Sequence, residues 1–320
     1  MNQPIVVGDI GGTNARFAMV LDGGVQPELI EVLPCADYNN MPDALADYLA
    51  LVGNPDVKQA CLSFACPIHQ DRIKMTNNHW DFSQSAVQQQ FGFDSFKVIN
   101  DFTALALSVP YLTNDELMQI GGGEAVANKT KLVIGPGTGL GMAGLASTSS
   151  GWLALSGEGG HVDFAPRNRF EMDVLEFFLK KYPRVSVERL LCGAGLVDLY
   201  EAHCQLNKVP VKQQSAADIS SIALSDENSI EHQVLAHFCN LLGAAAGNAA
   251  LILGAEGGVY IMGGIIPRFK DFFAASQFRQ SFENKGRLQS YAEKIPTYLV
   301  LSEYPGLVGA AAALNNSYIS

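Results

Sequence analysis

Apolar and polar positions follow two rhythms along the chain. PIVVG (4–8) and RFAMVL (16–21) are short apolar runs on either side of a glycine-rich turn, and they predict two strands. Over 41–52 the apolar residues Leu45, Tyr48, Leu49 and Val52 recur at helical spacing behind Pro42, which predicts a helix. QACLSFA (59–65) and FKVIN (96–100) read as buried strands, with an amphipathic segment at 83–91 between them. A second series begins near 131: KLVIG (131–135) is a strand, GTGLG a turn and MAGLAS (142–147) a strand again. Helices are expected at 171–181, 186–202 and 230–253, then a strand in VYIMGG (259–264) and a helix after Pro267. Strands alternating with helices argue for an α/β fold.

The two series share one layout. VVGDIGGTNARFAMV and VIGPGTGLGMAGL each run apolar strand, glycine turn with Thr, apolar strand. One supersecondary unit used twice suits a ligand gripped from two sides. At 320 residues the chain exceeds the size at which a single core stops growing, so two lobes are expected.

Composition narrows the partners. Hydrophobic residues make up 48% and charged residues 17%, a well-buried globular balance that excludes intrinsic disorder. The net charge of −11, from 32 acids against 21 bases, comes with no basic cluster, so nucleic acid and anionic membrane are poor partners. MNQPIVVGD carries no basic stretch ahead of an apolar run, so no signal peptide is expected. The apolar stretch at 241–255 is shorter than the ~20 residues a membrane span needs. The cysteines at 35, 61, 66, 192, 204 and 239 are scattered without a CxxC pair, which suits small core residues in a reducing, cytoplasmic setting.

Several groups invite chemistry. In Gly8-Asp9-Ile10-Gly11-Gly12-Thr13-Asn14, glycines allow close approach to an anion, or simply a hairpin turn with positive φ. Asp9 would repel a bare phosphate, so a phosphate loop here implies an intervening Mg²⁺. The turn Gly137-Thr138-Gly139 is equally rich in donors. GLGMAG (139–144) matches GxGxxG, but the residues after it read as strand, so the dinucleotide fingerprint is discounted, and there is no GxxxxGK[ST]. Asn100 and Asp101 close an apolar strand, where ligand crevices form, although an Asx turn or helix cap explains them equally. Glu158 and His161 stand on a turn with three glycines, as hydroxyl-binding groups or as two metal ligands. Glu188 in SVERLL reads first as an acid complementing a helix dipole. Arg16 reads as a solvated strand-end charge or a phosphate contact.

Eight stretches, in order, resemble the bacterial glucokinases of the hexokinase superfamily: GDIGGTNAR (8–16), ACPI (65–68), MTNNHW (75–80), INDFTAL (99–105), GPGTGLG (135–141), GEGGHVDFAP (157–166), VSVERLLCGAGL (185–196) and GGVYIMGGIIPRF (257–269). The CxCGxxGC cluster of the zinc-containing relatives is absent, so the resemblance carries no zinc. It implies a two-lobed actin-like (ribonuclease H-like) ATPase fold with the active site in the interlobe cleft. The small α/β domain would be 1–110 and the large one 111–300, with a C-terminal helix (about 301–320) packing back on the small domain. The resemblance assigns Asn100, Asp101, Glu158, His161 and Glu188 to the sugar and Asp101 to general-base catalysis. It assigns 8–14 and 137–139 to the phosphates and Gly263-Gly264 to the adenosine motif. The implied reaction is phosphorylation of the 6-hydroxyl of glucose by ATP, with Mg²⁺ near Asp9 directly or through water, in a homodimer. Alternatives are a kinase of another hexose or amino sugar, a sugar-responsive regulator, and an actin-like filament or chaperone ATPase. With seven residues ahead of Gly8 and an acidic balance of charge, a regulator with a DNA-binding helix-turn-helix is not expected.

Overall fold

The computed structural model describes residues 3–66, 68 and 70–319. Met1, Asn2, Pro67 of the ACPI stretch, His69 and Ser320 lie outside the described residues. The chain divides into two compact units: Met1–Thr113 with Leu145–Ser156 and Ser302–Ser320, and Asn114–Gly144 with Gly157–Leu301.

The first unit is built on strands β1 (Ile5–Ile10), β2 (Asn14–Val20), β3 (Glu28–Pro34), β4 (Gln59–Phe64), the short pair β5 (Arg72–Lys74) and β6 (Asp81–Ser83), and β7 (Ser95–Asn100). The five-stranded sheet has the order β3-β2-β1-β4-β7. β1 pairs antiparallel with β2, while β1, β4 and β7 run parallel. Their apolar side chains, among them Val6, Ile10, Phe17, Leu62 and Phe64, pack with Met41, Leu45, Tyr48 and Trp80 into one core. The helix Met41–Leu51 starts where Asn40 caps it, with Pro42 in its first turn. The amphipathic segment forms the helix Gln84–Phe91, capped by Ser83 and stopped at Gly92 in the left-handed region.

The C-terminal helix Pro305–Leu314 packs in this unit against the helix Asp101–Ser108. A Cβ on Gly309 would stand 1.7 Å from the carbonyl oxygen of Ala104, so the two backbones touch where no side chain fits. Residues Leu145–Ser156 belong with this unit, where Asn316 Nδ2 donates to the Trp152 carbonyl and Thr148 shares a hydrogen bond with Tyr318.

The second sheet is built on β8 (Leu117–Gly121), β9 (Lys131–Pro136), β10 (Leu140–Thr148), β11 (Gly151–Gly157), β12 (Val259–Ile261) and β13 (Thr297–Val300); β10 passes from the second unit into the first after Gly144, and β11 belongs to the first unit except for Gly157. The order is β11-β10-β9-β12-β13-β8, with β9, β12 and β13 parallel. The helix Ile230–Leu253 is long and apolar enough to cross a membrane by length and composition. Yet 61% of its most apolar window is buried, with Val234, Leu235, Phe238 and Leu242 inside the second unit's core. Gly243 lets it lie against the helix Phe278–Glu283, where a Cβ would come 2.1 Å from the Phe278 carbonyl.

The repeated strand, glycine turn, strand is present in both units, as β1–β2 and β9–β10. The expected helix over 186–202 is not: Val187–Arg189 is one 3-10 turn, and the helix spans Gly193–Leu206, capped by Cys192, whose Sγ accepts the Gly195 N–H. The late strand ends at Ile261, and Ile266–Phe269 is a 3-10 turn before the helix Lys270–Ala275. Because Gly309 has no room for a methyl group, Gly309→Ala should lower the denaturant midpoint by the equivalent of about 1–3 kcal/mol. An unchanged midpoint would show that the two helices separate freely at this crossing.

Candidate active site

Parallel register lines up one edge of the first unit's sheet. Asp9 pairs with Ser63 and Ser63 with Ile99, and one step on, Ile10, Phe64 and Asn100 stand side by side. Carboxyl ends of parallel strands are where open α/β sheets bind ligands. Asp9 and the Asn100–Asp101 pair thus share that edge.

Gly8, Asp9 and Ile10 are strand residues, and Asn14 already belongs to β2, so the turn itself is Gly11–Thr13. Gly8 is glycine for packing, because a Cβ would meet Leu62 Cδ2 at 2.6 Å and the Phe17 ring at 3.2 Å. The turn does close an antiparallel hairpin, but neither Gly11 nor Gly12 has positive φ, so left-handed backbone is not why they are glycine. Gly12 leaves space for Asn77, whose Cβ lies 2.9 Å from where its own would stand. The turn is held by Gly11 N–H to Asn14 O (3.0 Å) and Cys35 N–H to Thr13 O (2.8 Å). Cys35 Sγ and Asn78 Nδ2 both approach the Gly11 carbonyl, at 3.7 and 3.4 Å.

The Asp9 carboxylate accepts from the Ser63 hydroxyl (3.2 Å) and faces Arg16 Nη1 at 3.7 Å. Burial still pushes its pKa upward against both. The charge is thus only partly compensated, which suits a divalent cation beside it. Arg16 is the cross-strand partner of Asp9 rather than a free strand-end charge. Among the described residues, no group of three or more His, Cys, Asp or Glu gathers to hold a metal.

Asn100 is the cap of the helix Asp101–Ser108: its Oδ1 accepts the N–H groups of Phe102 (2.9 Å) and Thr103 (3.3 Å). Its Nδ2 donates to Asp101 Oδ1 (2.8 Å) and, at 3.4 Å, to the Cys66 carbonyl. Cap and orienting group are therefore one side chain. The Asp101 carboxyl is pushed up to about 6 by burial and by the charge of Asp9, against the opposing Phe102 N–H and Asn100 amide. A carboxylate with a pKa near 6 is a better proton acceptor than an ordinary one, yet is still ionised at neutral pH.

The second unit gathers another set. Glu188 Oε2 accepts the Leu140 N–H at 2.9 Å, and Oε1 lies 3.8 Å from His161 Nε2. A Cβ on Gly139 would stand 2.5 Å from that same Oε2, so the turn Gly137–Gly139 and Glu188 are packed as one piece. The helix-dipole explanation of Glu188 fails, because no α-helix begins there. The Gly137 N–H is spent on the Gly139 carbonyl (2.7 Å), and the Gly137 carbonyl accepts from Gly193 (3.1 Å). The segment after GLGMAG is strand β10, in agreement with its apolar pattern.

Glu158 precedes a 3-10 turn, Gly159–His161, that packs on β10. Gly160 would put a Cβ 2.0 Å from the Leu140 carbonyl, and Gly159 one 2.7 Å from Met142 Sδ, so packing accounts for two of the three glycines. Glu158 and the His161 ring are exposed, and Arg184 fixes the His161 carbonyl (2.6 Å). Gly263, at φ +90°, and Gly135 bring the ends of β12 and β9 together: their Cβ atoms would meet the Pro136 and Met262 carbonyl oxygens at 2.7 and 2.1 Å. Gly264 faces open space.

Sequence reasoning missed Ser63, Cys35, Asn78 and the Leu140 N–H. Ser63 carried a readable signal, being the polar residue inside the apolar stretch ACLSF. Backbone donors such as Leu140 N–H carry none.

A glucokinase family model matches residues 6–317. The chain is 50% identical over 317 residues to a glucokinase of Hahella chejuensis, covering 99% of this chain and 98% of that protein. It is 51% identical over 314 residues to a glucokinase of Marinobacter nauticus, covering 98% of each. The crystal structure of a glucokinase from an Antarctic psychrotroph superposes with a TM-score of 0.90 at 38% identity, over 99% of this chain and 100% of that one. Matching a family model across almost its whole length and its relatives at half of all positions, on the actin-like α/β fold, this chain belongs to the glucokinase family.

Proposed function

We propose that the protein transfers the γ-phosphoryl group of ATP to the 6-hydroxyl of D-glucose, giving glucose 6-phosphate and ADP, the opening step of glycolysis. The observation that carries the reading is Asp101: a carboxylate with a pKa of about 6, oriented by Asn100 at the carboxyl edge of parallel strands. Asp101 accepts the proton of the 6-hydroxyl as that oxygen attacks phosphorus in line. Orientation matters because the carboxylate must present its free oxygen while Oδ1 stays bonded to Asn100 Nδ2 and the Phe102 N–H.

Glu158, His161 and Glu188 hold the other hydroxyls, and the reading requires both sets of residues to serve one sugar molecule. Asn100 joins them by exchanging its long bond to the Cys66 carbonyl for a hydroxyl. Each carboxylate accepts from two neighbouring hydroxyls, and a site so built rejects an analogue lacking one by up to ~10⁴–10⁵. Residues 8–14 and the turn Gly137–Gly139 approach the phosphates through backbone N–H groups other than those of Gly11 and Gly137, which bond within their turns, and Gly263-Gly264 the adenosine, without a P-loop lysine. Mg²⁺ bound with the nucleotide near Asp9, directly or through water, supplies neutralisation of the phosphate charge. The working form is a cytoplasmic homodimer, which light scattering on the purified protein tests. A kinase of another hexose or amino sugar is the second reading, because the same hydroxyl-binding set serves it.

Asp101→Ala should fold and bind glucose but lose nearly all turnover; retention of more than about a tenth of kcat would remove Asp101 as base, given the 10²–10⁴ that general-base catalysis supplies.

Since only the ionised base works, kcat/KM for glucose should climb with pH through about 6 and then level. A profile flat from pH 5 to 7 would contradict this. Stability runs the other way. The folded value lies above the ordinary carboxylate value of 3.8, so stability is lost as pH rises from about 3.8 to about 6 and levels once Asp101 is ionised in the folded state too. Asp101→Asn should therefore unfold at higher denaturant than the parent protein at pH 8.

Glu188→Gln keeps one oxygen for the Leu140 N–H but replaces the other carboxylate oxygen, the charged acceptor proposed for a sugar hydroxyl, with an amide NH2 that can only donate. It should raise KM for glucose by about tenfold or more, the worth of a charge-assisted hydrogen bond. An unchanged KM would reduce Glu188 to a brace for the glycine turn.

A further inference from the structure

The Asp9 carboxylate is contacted from three sides, and only one contact is from a neighbouring residue on its own hairpin, Arg16. The second is Ser63 on β4, fully buried, whose hydroxyl reaches both the Gly8 carbonyl and Asp9 Oδ1 at 3.2 Å. The third comes from the far end of the chain. Gly306 stands in the first turn of the helix Pro305–Leu314, and a Cβ on it would lie 2.8 Å from Asp9 Cγ and 3.0 and 3.1 Å from the two carboxylate oxygens.

Nothing in the backbone asks for glycine there. The φ of Gly306 lies outside the left-handed region, and inside a helix alanine is the better residue. Glycine instead provides contact between the helix start and the carboxylate. The positive end of the helix dipole then faces a group whose charge Ser63 and Arg16 only partly compensate. The Ser63 hydroxyl reaches Oδ1, and the bare Cα of Gly306 lets both carboxylate oxygens lie against the helix start. A methyl group at 306 would force it to turn, because Asp9 itself sits on the rigid strand β1.

We propose that Gly306, together with Ser63, is a positioning residue that holds the Asp9 carboxylate in the orientation used by the divalent cation accompanying the nucleotide. The proposal rests on the reading of Asp9 as the residue facing that cation. Groups that orient a metal-facing carboxylate typically govern 10–100-fold in metal affinity.

Calorimetric titration with ADP, in excess Mg²⁺ and again in EDTA, separates the possibilities without relying on turnover. The parent protein should bind ADP more tightly with Mg²⁺ than without, and Asp9→Asn should remove that advantage. Gly306→Ala and Ser63→Ala should each lose about tenfold or more in Mg-ADP affinity while metal-free ADP affinity stays within about twofold of the parent. Should Gly306→Ala fail to fold, Ser63→Ala, a small-for-small change, carries the test alone. An undiminished Mg²⁺ advantage in the folded variants overturns the proposal. Equal losses with and without Mg²⁺ also overturn it, since the two residues then merely support the fold. If Asp9→Asn keeps the parent's Mg²⁺ advantage, the reading of Asp9 itself fails, and that outcome is distinct from the other two.

Discussion

The parallel register of β1, β4 and β7 is the constraint on which the first unit's chemistry depends. It sets Asp9 beside Ser63 and delivers the chain at Asn100 to the same edge, so that Asp101 begins a helix within the electrostatic reach of Asp9. Burial first, and then the charge of Asp9, raise the proton affinity of Asp101. Here that repulsion is retained rather than relieved: Asn100 and the Phe102 N–H oppose it without cancelling it. The result is an aspartate that holds its proton more tightly than usual, at some cost in stability, which is the behaviour the proposed general base needs.

Glycine recurs wherever main chain must touch something, and its conformational freedom is seldom the reason. Gly8 clears Leu62 and Phe17, Gly139 clears Glu188, Gly160 clears the Leu140 carbonyl, and Gly309 clears Ala104. Only Gly263 among the proposed nucleotide-contacting glycines takes positive φ. In the second unit the consequence is close packing: Glu188 is bonded to the end of the turn Gly137–Gly139 at 2.9 Å, through Leu140, and its other oxygen lies 3.8 Å from His161 Nε2. The proposed hydroxyl-binding carboxylate and the proposed phosphate-facing turn are thus joined by one hydrogen bond.

Much of this was legible in the residues. Strand, glycine turn, strand appears twice because both turns interrupt strongly apolar runs, and Ile230–Leu253 is readable as one helix from its uninterrupted periodicity. The edge strands were not legible. β3, ELIEVLP, is mostly exposed and shows no buried face, so its existence depends on pairing with β2. The region around Glu188 misleads because Ser186-Val187-Glu188 imitates a helix start, whereas Gly193 and Gly195, poor helix formers, begin the real one under a cysteine cap. Candidate side chains such as Asp101, Glu188 and His161 can be named from the sequence. The contact of Gly306 with Asp9 cannot, because the two lie at opposite ends of the chain and meet only in the fold.

The most direct test of the account is sugar dependence of ADP formation from Mg-ATP, measured against glucose, mannose, fructose, N-acetylglucosamine and no sugar. The account predicts ADP release with glucose and essentially none without sugar, since the residues around Asp101 and Glu188 are read as groups for a hydroxylated substrate. Equal release in the absence of sugar would contradict it, because water would then be the acceptor and the hydroxyl-binding groups would have no part in the reaction.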